Sequence, residues 1–306
     1  MKMNWSGVIP AITTPFHSDL SIDHEFLARH CRWLVENGCS GIVALGSLGE
    51  GQTLRFDEKR QVLATCFEAV GQQVPIVAGV SALSTAEAVE IACLAEQEHC
   101  SGLMVLPPYV YVGDWTEMKA HVAAVLQATS LPAMLYNNPL AYKVDFLPCQ
   151  VQELLAEHEN LRAIKESSAD VRRIAALRTL VGDERLRILV GVDDLVVEAV
   201  AMGAVGWIAG LVNAFPRESV ELFNLAMQGK RDRAFALYQW FLPLLRMDTV
   251  PKFVQLIKLV QEEVGMGSPR VRPPRLPLRG GELNAAKEVL NIALSTRPVF
   301  EPLASR

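Results

Sequence analysis

The sequence lacks the features that would indicate binding to nucleic acid or to a membrane. It has 29 Lys and Arg against 34 Asp and Glu, a formal net charge of −5, and no basic run that could follow a phosphate backbone. Its longest uncharged apolar stretch, residues 199–212, is too short and too rich in glycine to span a bilayer. The first residues lack the apolar core of a signal peptide, so we predict a cytoplasmic protein.

Motifs for metals and nucleotides are also missing. The six cysteines never adopt a C-x-x-C spacing, and the six histidines are scattered without an H-E-x-x-H pair. Neither a G-x-G-x-x-G motif nor a Walker loop is present. We therefore predict no metal site and no cofactor, and we interpret the cysteines as small hydrophobic side chains.

What the sequence does contain is a repeated unit of one apolar run followed by one amphipathic helical stretch. Continuous apolar runs are typical of parallel strands buried on both faces, and a repeat of roughly 25 to 35 residues fits one βα unit. The eight runs begin near residues 7, 42, 75, 102, 132, 161, 187 and 206. Eight units predict an α/β fold, a (β/α)8 TIM barrel, with an open doubly wound sheet as the alternative.

Three further helical stretches follow the eighth unit, at residues 230–245, 250–264 and 281–294. A proline-rich linker at residues 265–278 separates the last two of them. We predict a catalytic barrel over residues 1–228 and a C-terminal helical appendage, packed on the barrel, over residues 229–306. The function of the appendage is left open at this stage.

Lys165 is the first candidate for a catalytic residue. It ends the apolar run 161–165, just before a Ser-Ser-Ala-Asp helix start. A lysine at a strand end is usually only a solvated charge. At the mouth of an apolar barrel, however, desolvation disfavours the charged form of an amine, which makes it a nucleophile for carbonyl carbons.

Other reactive groups are predicted at the same end of the barrel. The second run leads into a glycine-rich loop with Ser47 and Leu48, the fifth ends at Tyr136, and the eighth contains Gly206 and Ile208. Each has a structural explanation: a tight turn, a core-edge aromatic, or a close approach between strands. Together with Lys165 they supply a nucleophile, a phenolic proton carrier and an anion-binding loop, which suits a 2-oxo acid or its imine.

Several motifs in this order resemble the dihydrodipicolinate synthase and N-acetylneuraminate lyase superfamily over about residues 5–295. They are the Gly-Ser-x-Gly-Glu loop from residue 46, Tyr-Asn-x-Pro from residue 136, Ile-Lys-Glu-Ser-Ser from residue 164, Gly-Val-Asp-Asp from residue 191 and Gly-Trp-Ile from residue 206. The resemblance implies a TIM barrel, a homotetramer, and an imine between a lysine and the substrate.

By the same resemblance, Lys165 is the imine-forming lysine, Tyr136 moves protons to and from the imine, and Ser47 is a hydroxyl of the proton relay. Ser47 and Leu48, with Gly206 and Ile208 across the barrel, are the expected substrate-binding residues. The expected partner is therefore a small 2-oxo acid or a cyclic imine.

The sequence also departs from the synthases. Leu48 stands where they carry a second threonine, Ala141 where they carry an arginine for the aldehyde's carboxylate, and Val110 where a tyrosine enters the neighbouring subunit. With Asn138 and Tyr142 at these positions, the sequence instead resembles the 1-pyrroline-4-hydroxy-2-carboxylate deaminases of hydroxyproline catabolism. We therefore predict formation of 2,5-dioxopentanoate and ammonia from that imine.

Three alternatives remain. One is a dehydratase or aldolase for a 2-keto-3-deoxy sugar acid, which uses the same imine with a longer hydroxylated substrate. The second is dihydrodipicolinate synthase itself. The third belongs to a different class, a non-catalytic barrel that binds a 2-oxo acid.

Overall fold

The eight predicted strands form one parallel barrel in a computed structural model, which describes residues 2–182 and 184–299. The strands are β1 Gly7–Pro10, β2 Ile42–Ala44, β3 Ile76–Val80, β4 Gly102–Val105, β5 Ala133–Asn137, β6 Leu161–Glu166, β7 Arg187–Val190 and β8 Gly206–Ala209. Every neighbouring pair is parallel, in the order β1-β8-β7-β6-β5-β4-β3-β2. A parallel bridge between Ala11 and Val43 joins the first strand's end to the second, so the predicted (β/α)8 barrel is confirmed.

Helices surround the barrel, and three more follow it. The helices are α1 His24–Glu36, α2 Phe56–Val70, α3 Thr85–Gln97, α4 Trp115–Gln127, α5 Pro139–Tyr142, α6 Pro148–Glu157, α7 Arg172–Val181, α8 Val196–Ala201, α9 Pro216–Met227, α10 Arg231–Leu245, α11 Phe253–Glu263 and α12 Gly280–Ser295. Asp23, Ser84 and Asp114 begin α1, α3 and α4, each accepting a hydrogen bond from a backbone N–H of the first turn. Within the described ranges, no helix is both long and apolar enough to cross a membrane.

The strand register places the central pair of candidate residues side by side. Along β5 and β6, Tyr136 lies opposite Lys165, and Asn137 lies opposite Glu166. Residues paired in neighbouring parallel strands point to the same face of the sheet. Tyr136 and Lys165 therefore share one face, and Asn137 and Glu166 share the other.

The C-terminal helices pack on the barrel and on one another. In α10, Trp240 stacks on Phe241 and donates a hydrogen bond from its indole N–H to the Ala293 carbonyl in α12. A 3₁₀ turn at Arg246–Asp248 follows α10 and reaches the barrel mouth. The division into a barrel over residues 1–228 and an appendage over 229–306 stays a prediction, and residues 300–306 lie outside the described residues.

Candidate active site

Lys165 and Tyr136 meet at the mouth of the barrel. The Lys165 side chain is buried, and its Nζ lies 4.1 Å from the centroid of the Tyr136 ring. The lysine side chain fits there because residue 191, just after β7, is glycine: a Cβ on Gly191 would lie only 2.3 Å from Lys165 Cε. An amine held against an aromatic face, with its stem packed on backbone, has a restricted position in the cavity.

On the faces of β5 and β6 that point away from Tyr136 and Lys165, buried hydrogen bonds hold the two strand ends in position. The Asn137 side chain donates to Glu166 Oε2 at 3.1 Å and accepts from the Phe146 backbone N–H at 3.0 Å. Glu166 also accepts from the Ser168 backbone N–H at 2.7 Å, and burial raises its pKa. Because these polar groups are buried and mutually bonded, they define the strand ends that carry Tyr136 and Lys165.

The glycine-rich loop after β2 has a backbone that requires glycine. Leu45 adopts a left-handed conformation, with φ of +63°, and a Cβ on Gly51 would lie only 2.0 Å from the Leu45 carbonyl oxygen. Ser47 and Leu48 line the cavity at the top of this turn. Over residues 2–182 and 184–299, no protein acceptor is found for their backbone N–H groups, which are therefore available to a carboxylate.

A buried ion pair anchors this loop to the C-terminal helices. Glu50 is fully buried, and its Oε1 lies 2.6 Å from Nζ of Lys258, which is 2% exposed in α11. The Arg272 backbone N–H donates to Glu50 Oε2 at 2.9 Å. Desolvation lowers the pKa of Lys258 to about 8, although Glu50 opposes that shift. This pair could not be predicted from the sequence, since the partners lie far apart in the chain without a spacing pattern.

Three tyrosines pack beside Ser47: Tyr109 and Tyr142 reach its hydroxyl, and Tyr136 packs against Tyr142. The Ser47 hydroxyl makes a short hydrogen bond with the Tyr142 hydroxyl and lies 3.4 Å from that of Tyr109. The Tyr142 ring stands edge-on to both the Tyr109 and Tyr136 rings, with centroids 5.6 Å apart in each case. Asn138 donates from its side-chain amide to the Tyr136 hydroxyl at 3.1 Å. Burial raises the pKa of Tyr109 and of Tyr142, so both phenols hold their protons near neutral pH.

Two acidic side chains interact electrostatically with Lys165. Asp193 follows β7, is fully buried, and accepts from the indole of Trp207 at 2.9 Å and from the backbone N–H of Leu211 at 2.8 Å. Desolvation raises the pKa of Asp193 to about 6, while those hydrogen bonds and the charge of Lys165 act against the rise. Asp248 comes from the 3₁₀ turn after α10; burial and the charge of Asp193 raise its pKa well above the usual range.

These groups surround one cavity of about 490 Å³, within the usual range for small-molecule sites. Among the predicted site residues, the cavity is lined by Lys165, Tyr136, Ser47, Leu48 and Ile208. Gly206 does not line it: this residue begins β8 and packs against Leu189, so its predicted substrate contact has no support from its position. In the described part of the chain, no three His, Cys, Asp or Glu side chains are grouped as a metal ion requires.

Residues that the site prediction omitted supply much of the remaining lining. Tyr142 was noted only for its resemblance to the deaminases, although its hydroxyl contacts Ser47. Asp248 and Arg275 enter the cavity from the C-terminal appendage. Tyr142 could have been found from its closeness to the Tyr-Asn-x-Pro motif. No local pattern marks Asp248 or Arg275.

A TIM barrel with a buried lysine beside a tyrosine at the carboxyl ends of its strands is the architecture of Schiff-base, aldolase-like enzymes. The dihydrodipicolinate synthetase family model matches residues 4–293, and the chain belongs to this family. Its enzymes act on small molecules.

Named relatives agree with this assignment. A 4-hydroxy-tetrahydrodipicolinate synthase from Methanothrix thermoacetophila is 31% identical over 284 residues, covering 93% of this chain and 95% of the relative. The solved structure of the synthase from Methylacidiphilum fumariolicum SolV aligns with a TM-score of 0.90 at 31% identity, covering 95% and 96% of the two chains.

A third comparison involves a bound 2-oxo acid. YagE, a prophage protein of the same family from E. coli K12, was solved in complex with pyruvate and aligns with a TM-score of 0.88 at 26% identity, covering 94% and 98% of the two chains. None of these three relatives is named a deaminase. Their names favour the synthase alternative over the deaminase that the sequence analysis preferred.

Proposed function

We propose that this protein forms a Schiff base between Lys165 and the C2 carbon of a small 2-oxo acid, or of its cyclic imine. The observation that carries the proposal is the buried Lys165 amine, 4.1 Å from the Tyr136 ring centroid, in the cavity of a chain of this family. The cavity combines a nucleophile, phenols and available backbone N–H groups.

The residues have distinct parts in this reaction. The neutral Lys165 amine adds to C2, and the resulting carbinolamine loses water to give an iminium ion. Tyr136 supplies the proton that the departing hydroxide needs and later receives the C3 proton, which leaves an enamine. The backbone N–H groups of Ser47 and Leu48 bind the carboxylate, while the hydroxyls of Ser47, Tyr109 and Tyr142 connect the site's proton donors.

The first candidate for the complete reaction is the synthesis of 4-hydroxytetrahydrodipicolinate, which the relatives' names favour. That product has seven carbons and two carboxylates, so a pyruvate enamine must attack a four-carbon amino aldehyde carrying a carboxylate, aspartate semialdehyde. Ala141 offers no charge for this second carboxylate, but the Arg275 side chain lines the same cavity. Arg275 is the cation that this reaction would use here.

The second candidate is the deamination of 1-pyrroline-4-hydroxy-2-carboxylate. Lys165 attacks C2, the ring nitrogen leaves with the bond's electron pair and takes a proton, and the C4 hydroxyl departs as water after C3 loses a proton. Loss of protons from C5 and the nitrogen, with reprotonation at C3 and C4, then gives an imine at C5. Hydrolysis of this imine releases ammonia, and hydrolysis at C2 frees Lys165 and 2,5-dioxopentanoate. Leu48 and Ala141 favour this substrate, since it has only one carboxylate to bind.

Product analysis separates these candidates. The purified protein is incubated with pyruvate plus aspartate semialdehyde, with the hydroxylated pyrroline, and with a 2-keto-3-deoxy sugar acid; products are identified by mass spectrometry and ammonia is measured. We expect turnover of one of the first two. Turnover of the sugar acid alone would support that alternative, whereas imine formation without any turnover would support a 2-oxo-acid-binding barrel.

Assembly as a homotetramer is proposed only from the family resemblance. Val110, where the synthases carry the tyrosine that enters a neighbouring subunit, is 93% exposed and has a φ of +73°, an uncommon conformation for a β-branched residue. Light scattering on the purified protein tests the tetramer, and a monomer would contradict it.

A further inference from the structure

Asp248 reaches the active-site cavity from outside the barrel. It ends the 3₁₀ turn Arg246–Asp248, after α10, and lines the same cavity as Lys165 and Ser47. The barrel accommodates this side chain only because residue 210 is glycine: a Cβ there would lie 2.2 Å from Asp248 Oδ1. An acidic side chain therefore lies against Gly210 at the mouth of the barrel.

Its hydrogen bonding differs from that of the neighbouring Asp193. Asp193 is saturated by the Trp207 indole and the backbone N–H groups of Gly210 and Leu211. For Asp248, no hydrogen-bond donor or ion-pair partner is found within residues 2–182 and 184–299. The charged groups that act on Asp248 are Asp193, Asp194 and Lys165, so two anions and one cation surround it.

In the free site, burial favours the protonated, neutral form of Asp248. A cation that enters the cavity would favour the carboxylate form and pair with it. Lys165 offsets the charge of this carboxylate only while its own nitrogen is charged, and that nitrogen is neutral in the attacking amine and in the enamine, although not in the iminium ion. A cationic nitrogen on the substrate would restore the charge balance, because it would form a charge-assisted hydrogen bond with Asp248.

We propose that Asp248 binds a protonated nitrogen of the substrate and so makes this site specific for nitrogen-bearing 2-oxo-acid adducts. This inference rests on the proposed Schiff-base function and holds for both candidate reactions. Aspartate semialdehyde carries an ammonium group, and the opened pyrroline ring presents one at C5. A 2-keto-3-deoxy sugar acid has none, so Asp248 selects against that class of substrate.

The test uses two compounds whose Lys165 adducts differ in one group. Transimination of 1-pyrroline-2-carboxylate gives an adduct with a terminal ammonium, and 2-oxohexanoate gives the same chain with a methyl group there. The concentration for half-maximal labelling of Lys165 under cyanoborohydride is measured by mass spectrometry for each compound. The ratio between the compounds is then compared in wild type and in Asp248→Asn, which cancels their different intrinsic reactivity.

We expect Asp248→Asn to reduce the preference for the nitrogen-bearing compound by about tenfold, the size of one charge-assisted contact. Asp248→Glu should recover part of it, since the charge is kept. Asp194→Asn is the matched control: it removes a neighbouring carboxylate that does not line the cavity, and the preference should persist. An unchanged ratio in Asp248→Asn would overturn the inference.

Labelling with pyruvate separates this inference from the proposed function. Pyruvate has no nitrogen, so Asp248→Asn should still form a pyruvate adduct on Lys165, which also shows that the variant is folded. Absence of pyruvate labelling in wild type would refute the Schiff-base function. Calorimetry of proline and its isostere without nitrogen, cyclopentanecarboxylate, with both proteins and without cyanoborohydride would then still decide the role of Asp248. An equal preference in both proteins would contradict it.

Discussion

The cavity has two walls that differ in chemistry and in origin. One wall is phenolic: Tyr109 and Tyr142 contact Ser47, the Tyr136 ring packs edge-on to Tyr142, and all come from the barrel. The other wall is acidic, with Asp248 from the C-terminal appendage lining the cavity and the fully buried Asp193 acting on Asp248 through its charge. Lys165 lies between them. The phenolic wall suits the movement of protons common to the family's chemistry, whereas the acidic wall suits recognition of a particular substrate.

The largest effect is expected on the phenolic wall. Tyr136→Phe removes the hydroxyl but keeps the ring that packs against the Lys165 amine. Turnover should fall by about 10²- to 10⁴-fold, the usual contribution of one proton-transfer group. Steady-state kinetics measures the fall, and circular dichroism serves as the folding control. Full turnover in the variant would remove Tyr136 from the mechanism.

The Glu50–Lys258 ion pair, which anchors the loop of the phenolic wall, should contribute strongly to the stability of the protein. Lys258→Met leaves the buried Glu50 with only the longer ion pair to Arg275, at 3.8 Å, and we expect the free energy of unfolding to drop by up to about 3–5 kcal/mol. Adding Glu50→Gln should recover most of the loss, because no unpaired charge is then buried. Urea denaturation of both variants checks this. If the double variant is no more stable than Lys258→Met alone, the ion pair is not the cause.

Smaller effects are expected where the phenols meet the serine. Ser47→Ala and Tyr142→Phe each break the same hydrogen bond, so each should lower kcat by about tenfold, within the range for one weak proton-relay contact. The double variant should be scarcely worse than either single variant, since the shared contact is already lost. Multiplicative losses in this double-mutant cycle would show that the two hydroxyls act independently.

The acidic wall should show the smallest, pH-dependent effect. The pKa of Asp193 is raised from 3.8 to about 6, so the folded state binds this proton more tightly than the unfolded state. Its contribution to stability is complete below pH of about 4 and is lost as pH rises to about 6. In carboxyl carbon NMR, the Asp193 titration should move to higher pH in Lys165→Met, because the ammonium favours the carboxylate. A movement to lower pH would contradict this arrangement.

The two walls also differ in how far the sequence could predict them. Lys165, Tyr136, Ser47, Leu48 and Ile208 lie at or just beyond the ends of apolar runs, and parallel strands bring such ends to one edge. The barrel itself could be predicted because an apolar run followed by an amphipathic helical stretch occurs eight times in the sequence.

Asp248 could not be predicted in this way. Its position depends on how α10 packs and on the space beside Gly210, which are tertiary properties without a sequence period. The pairing of Glu50 with Lys258 has the same cause. Gly206 is a different case: it belongs to a conspicuous motif on the expected strand, but it does not line the cavity, and its substrate contact stays a prediction.

Borohydride trapping with pyruvate tests the central claim most directly. The purified protein is reduced in the presence of pyruvate, digested, and examined by mass spectrometry, with Lys165→Met and the surface variant Lys119→Met treated in parallel. The Schiff-base account predicts a single pyruvate adduct on Lys165, present in Lys119→Met and lost in Lys165→Met. Absence of an adduct in wild type, or an adduct that survives in Lys165→Met, would contradict it.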